Sequence, residues 1–200
     1  MFDGPLDVLI RQIAALPGLG GRSAKRIALH LLSQKDKRLR PLLAALQEAS
    51  DTIKSCSNCG NLDATDPCRI CRDPARDKET ICVVASVADV WAVERTNSYK
   101  GQYHILGGVL SALDGIGPEQ LSIEPLLNRM RRTPPKEIVL ALAATVDGQS
   151  TAHYLMDRID TLQLSPLHIS RLAHGVPVGG ALEFLDDSTI ATALKSRARL

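Results

Sequence analysis

The sequence predicts an α+β chain of several modules: a helical segment, a turn-rich segment punctuated by cysteines, an α/β domain with a mostly parallel sheet, and a short C-terminal arm. Three observations predict it. Apolar residues recur at helical spacing from Leu6 to Ile53, four cysteines follow in the pattern C-x2-C-x8-C-x2-C, and from residue 80 β-rich apolar runs alternate with helical ones.

In the first segment, Leu6, Leu9, Ile10, Ile13 and Leu16 share one helical face, and Pro5 suits a first turn. Pro17-Gly18-Leu19-Gly20-Gly21 breaks that helix, and a second follows with Ala24, Ile27, Ala28, Leu31 and Leu32 on one face. A third pattern runs through Leu39, Leu42, Leu43, Leu46 and Ile53. From Cys56 to Pro74 the periodicity vanishes. Strands are then expected at 80–86, 103–106, 137–143 and 168–173, and helices at 87–96, 118–132 and 151–163. Strands alternating with crossover helices indicate a parallel sheet. The tail "VPVGGALEFLDDSTIATALKSRARL" adds a Gly-Gly turn, a short apolar run and a final helix.

Composition narrows the function. The 200 residues are 44% hydrophobic and 23% charged, an ordinary globular balance. Aromatics make up only 3%, which speaks against a base-stacking platform. No apolar run approaches a membrane span, and "MFDGPLDVLI" has no basic stretch before an apolar one, so a cytoplasmic protein is expected. The net charge is +2, but its distribution is uneven. Arg11, Arg22, Lys25, Arg26, Lys35, Lys37, Arg38 and Arg40 face one acid, Asp36, leaving that segment at +7 and the rest of the chain at −5. Such asymmetry fits either a polyanion-binding module or a solvated helix face.

Cys56-x2-Cys59 and Cys68-x2-Cys71 form two knuckles, and four thiolates meeting in a tetrahedron suit Zn²⁺. Asn58, Gly60, Asp66 and Pro67 favour the tight turns that knuckles need. A four-thiolate site has no open position for water, so one structural zinc per chain is expected, supplying on the order of 10 kcal/mol to a segment too small for its own core. Cys82, inside the first expected strand, reads as a packing residue.

"PGLGGRSA" fits the h-G-h-G-x-x-x-A pattern that joins the two helices of a helix–hairpin–helix. Gly18 and Gly20 permit positive φ and leave backbone N–H groups bare at the start of the next helix, where the helix dipole favours an anion. Ala24 is small enough for close helix approach, and Arg22, Lys25 and Arg26 lie alongside. Contacts of this kind reach sugar-phosphate and carry no base information. The expected DNA-binding residues are therefore Gly18, Gly20, Arg22, Lys25 and Arg26. "DGIGPEQL" (114–121) also contains G-h-G, but Leu121 stands where a small residue is needed and acids surround it, so a loop is expected.

The order of these parts, with "LDGIGP", "ATVDGQSTAHYL" and "RLAHGVPVGGALE", resembles the bacterial RecR family of recombination mediators over nearly the whole chain. The resemblance implies a helix–hairpin–helix domain (1–54), a four-cysteine zinc finger (55–78), a Toprim-like domain (79–174) and a C-terminal arm with a Walker-B-like segment (175–200). It implies a ring-shaped homotetramer that can encircle single- or double-stranded DNA with weak sequence preference. It also implies action with RecO and RecF to help load RecA on single-stranded DNA in RecBC-independent repair. The family's DNA-contacting basic residues fall on Arg22 and Arg26, and its zinc ligands on the four clustered cysteines. Gly179 and Gly180 match a family signature whose chemistry is not evident.

Catalytic Toprim domains hold Mg²⁺ with a Glu after the first strand and a D-x-D after a later one. Here the first strand ends Val84-Ala85-Ser86, the later one runs "LALAATVDGQST", and Asp147 is the one nearby acid. Many RecR-like sequences keep a Glu at both the Ala85 and Gln149 positions. One acid cannot build a two-carboxylate cage, so a non-catalytic protein is expected, with a metal-dependent nuclease or primase as the alternative. His30, His104, His153, His168 and His174 are dispersed and form no catalytic set, and no phosphate-binding loop accompanies the Walker-B-like tail.

Overall fold

Pro5 occupies the first turn of α1 (Pro5–Ala14), where its missing N–H costs nothing. The computed structural model describes residues 4–173, 175–177 and 179–196, in two units, Met1–Ile53 and Lys54–Leu200. In the first unit α1 packs on α2 (Gly21–Ser33), and Ala24 and Ala28 are wholly excluded from solvent between them. A π-helical turn at Lys35–Leu39 leads into α3 (Arg40–Thr52), with Pro41 in its first turn. Leu42, Leu43 and Leu46 of α3 remain exposed.

The second unit opens with a short antiparallel pair, β1 (Lys54–Ser55) and β2 (Leu62–Asp63), which frames the first cysteine knuckle. The second knuckle leads into the single turn α4 (Arg69–Arg72). A four-stranded parallel sheet follows in the order β4-β3-β5-β6, from β3 (Thr80–Val84), β4 (Gln102–Ile105), β5 (Glu137–Ala141) and β6 (His168–Arg171). β3 is buried on both faces from Ile81 to Val84, which is why its sequence reads as a continuous apolar run. One face packs Ile81, Val83 and Ile138 against Leu126, Leu127 and Leu155. The other packs Cys82, Val84 and Tyr103 against Val90. Cys82 is indeed a packing residue, and burial pushes its thiol up to about 12.

α5 (Val87–Glu94) starts at Ser86, whose hydroxyl accepts from the Asp89 amide while the Asp89 carboxylate accepts from the Ser86 amide. The helix expected at 118–132 divides into a 3₁₀ turn, Pro118–Gln120, and α6 (Ile123–Arg132). "DGIG" forms the expected loop, closed by a bridge between Ser111 and Ile116.

α7 (Val146–Asp160) begins five residues before the expected start at 151. The polar run "TVDGQS" conceals a helix start in which Thr145 accepts from the Gly148 amide at 3.2 Å. Gly148 is a close-approach position, since a Cβ there would lie 2.1 Å from the Ala143 carbonyl oxygen.

In the arm, the Gly180 amide donates to the Pro177 carbonyl at 2.9 Å with Gly179 at φ +83°, giving the expected turn. A 3₁₀ turn (Leu182–Phe184) and α8 (Asp187–Lys195) follow. His174 and the final residues 197–200 lie outside the described residues. Among the described residues no helix is long and apolar enough to cross a membrane.

Candidate metal centre and nucleic-acid interface

The four predicted cysteines converge. Sγ atoms of Cys56, Cys59, Cys68 and Cys71 all lie within 4.8 Å of one another. The Cys59–Cys68 and Cys56–Cys71 separations are 3.6 and 4.0 Å. Tetrahedral zinc with Zn–S of about 2.3 Å requires sulfur–sulfur edges of about 3.8 Å, so the donor set fits the ion. The turns are held by two carboxylates, Asp66, which the sequence marks for a tight turn, and Asp63, which it does not. Asp66 accepts from the Ser57 amide (2.8 Å) and hydroxyl (2.9 Å), and Asp63 accepts from the Arg69 amide at 2.8 Å. These bonds hold both carboxyls below their ordinary range.

Donors also surround the sulfurs. The Cys68 amide points at Cys56 Sγ (3.2 Å), the Asn61 amide at Cys59 Sγ (3.5 Å), and Asn58 Nδ2 at Cys71 Sγ (3.4 Å). The close approach of Cys59 and Cys71 lowers the Cys71 thiol and raises that of Cys59, and burial raises Cys68. When bound, zinc would be held by the four thiolates and would fix the two knuckles together.

In the first unit, Gly18 sits at φ +77°, a conformation that L side chains resist, and lets the chain turn from α1 into α2. Gly20 differs from expectation. It is an extended N-cap (φ −98°, ψ 170°), so its value lies in openness rather than in positive φ. A Cβ on Gly18, Gly20 or Gly21 would meet nothing within 4 Å, and no side chain caps the helix. The first-turn amides of α2 therefore lack the capping acceptor that most helices supply. Arg22, Lys25 and Arg26 are exposed at i, i+3 and i+4, away from the buried Ala24 and Ala28.

Comparison with known proteins agrees with this layout. A family model described as "RecR, helix-hairpin-helix" matches residues 6–50, and a model of the RecR four-cysteine zinc finger domain matches 53–73. The model "Toprim domain" matches 79–173 and "RecR, C-terminal" matches 175–198. The chain is 56% identical to the "Recombination protein RecR" of Maricaulis maris over 196 residues, 98% of this chain and 96% of the relative. It is 53% identical to that of Mesorhizobium japonicum and 52% to that of Bartonella bacilliformis, each over 97% of this chain and 96% of the relative. The chain belongs to the RecR family. It carries that family's helix–hairpin–helix, four-cysteine zinc finger and Toprim domain in order, with a structural zinc ion. Membership supports a role in recombinational repair, and the hairpin supports interaction with DNA.

Within this RecR-family fold, the Toprim strand ends lack paired acids. Ala85 follows β3, and its carbonyl accepts from the Gly107 amide at 3.0 Å. Ala143 and Ala144 follow β5, and Asp147 lies in the first turn of α7. A cavity of 280 Å³ beside Ala143 and Gly148 is walled mainly by Leu140, Leu142, Ala152 and Met156. Among the described residues, the cysteines are the one group of three or more potential ligands close enough to share an ion.

Among the described residues the histidines join no cluster of potential metal ligands, and His104 is not a surface residue. It is 2% exposed, and its Nε2 donates to the Ser122 carbonyl at 2.7 Å. Sequence reasoning also missed Arg129. Its signal was present: a charge three residues after Leu126 and one before Met130, on the buried face of α6.

Proposed function

We propose that this chain is a non-catalytic, DNA-binding recombination mediator. In the cytoplasm it acts with RecO- and RecF-type proteins to help load RecA onto single-stranded DNA in RecBC-independent repair. The observation that carries the proposal is the start of α2, where an open, uncapped glycine N-terminus stands beside exposed Arg22, Lys25 and Arg26. Bare amides and the helix dipole favour a phosphate oxygen, and the three cations add long-range attraction. Gly18 and Gly20 shape the cradle. No base edge is read, so single- and double-stranded DNA bind with weak sequence preference.

One hairpin engages a phosphate or two. A ring of four copies, as the family resemblance implies, would multiply that grip. The division of labour is then a DNA-binding domain at 1–54, a zinc finger held by Cys56, Cys59, Cys68 and Cys71 at 55–78, a Toprim scaffold at 79–174 and an arm at 175–200. With alanines where cation-binding acids would stand, the Toprim domain serves as a partner surface rather than a nuclease or primase.

The test is RecA loading on single-stranded DNA coated by its binding protein, with and without a RecO-type partner. The chain is expected to speed loading only when the partner is present. Loading that is indifferent to the chain overturns the proposal, as does Mg²⁺-dependent cleavage or polymerisation that disappears in Asp147→Ala.

A further inference from the structure

Arg129 is a buried cation without a carboxylate. It is 6% exposed, and among the described residues no Asp or Glu pairs with it. Its hydrogen bonds go to neutral acceptors: Nη1 to the Tyr103 carbonyl at 2.7 Å and the Asn58 carbonyl at 3.5 Å, and Nη2 to Gln102 Oε1. Carbonyl dipoles satisfy its donors but leave its charge uncompensated, and an isolated charge in such a site is strongly unfavourable. The nearby anions are the finger's sulfurs. Burial opposes the guanidinium charge, and the neighbouring cysteine sulfurs, Cys71 foremost, oppose that effect. Arg129 and Cys71 also line one cleft together with Asn58 and Gln102.

A zinc ion on four thiolates carries a net charge of −2, an excess that needs a cation close by. We propose that Arg129 is the counter-charge of the zinc centre, and that through it metal occupancy holds the β4 edge of the Toprim sheet to the finger. Arg129 is a positioning residue that touches no zinc. It grips β4 through Tyr103 and Gln102 and the first knuckle through Asn58, whose own side chain donates to Cys71 Sγ. When zinc leaves, the four sulfurs are no longer held together opposite the guanidinium, and this grip loosens.

The experiment compares the full chain with Arg129→Met, which keeps the bulk without the charge, and Arg129→Lys, which keeps the charge without the fork. Zinc transfer to an excess of a chelating dye is timed for each. The Met variant is expected to release zinc about 10- to 100-fold faster, the usual effect of losing a partner that orients metal ligands. The Lys variant is expected to recover much of that loss. Equal release from all three overturns the proposal, as does a Lys variant no better than Met. Hydrogen exchange on the unmodified chain, with and without zinc, decides the matter even if a variant does not fold. Loss of protection at 102–105 and 126–132 as well as 55–75 supports it, and loss confined to 55–75 overturns it.

Discussion

The Ile105 amide donates to the Cys59 carbonyl at 2.8 Å, tying the end of edge strand β4 to the first cysteine knuckle. An edge strand presents unpaired backbone groups that invite pairing with other chains. Here the finger covers part of that edge, because β4 is outermost in the order β4-β3-β5-β6. A segment too small to fold alone thereby protects a domain that is large enough to do so.

Metal removal should therefore reach beyond the knuckles. One zinc per chain is expected by elemental analysis. Stripping it should unfold residues 55–75 and lower the melting temperature of the Toprim unit, with increased aggregation through the uncovered edge. Calorimetry and light scattering before and after chelation check this. Intact disulfides with no metal would contradict it.

His104 makes the fold sensitive to acid. Burial pushes the imidazole down to about 4 from the ordinary 6.5; the Ser122 carbonyl partly opposes this and the Arg129 charge reinforces it. Between those values the unfolded chain binds a proton that the folded chain does not. The contribution is complete above pH 6.5 and is lost as pH falls toward 4, about 3 kcal/mol in all. His104→Gln keeps a donor for Ser122 and removes the titration. Urea unfolding of both zinc-loaded proteins from pH 7.5 to 5 should show a shallower decline for the variant.

Two glycines should differ in their intolerance. Gly148→Ala puts a methyl 2.1 Å from the Ala143 carbonyl oxygen, backbone against backbone. It should destabilise the Toprim unit by about 3 kcal/mol, the upper end of ordinary overpacking. Gly18→Ala meets no atom within 4 Å but forces alanine to φ +77°, which costs about 1–2 kcal/mol. Denaturant midpoints of the two variants test the order.

Much of this fold is legible because its parts are set by local chemistry. Cysteine spacing marks the finger, and the apolar runs at β3 and β5 mark buried parallel strands. "PGLGGRSA" marks the hairpin, although only Gly18 uses positive φ, since conformation at an N-cap does not follow from residue type. The start of α7 was not legible, because "TVDGQS" carries no apolar face and its helix depends on the Thr145 cap and the tight passage at Gly148. Arg129 and His104 were missed for a related reason. Burial of a polar side chain is decided by what tertiary structure places around it, and neighbours in sequence do not report that.

Phosphate held at the start of α2, as proposed, makes DNA binding strongly salt-dependent, and that dependence can be measured. Each phosphate no longer engaged should flatten the log–log slope by about 0.9 on duplex DNA or about 0.7 on single strands. Arg22→Ala combined with Arg26→Ala is predicted to reduce the slope by about 1.8 and 1.4 per engaged chain, respectively, and to weaken binding to all sequences alike. An unchanged slope, or weakening confined to particular sequences, would contradict the account.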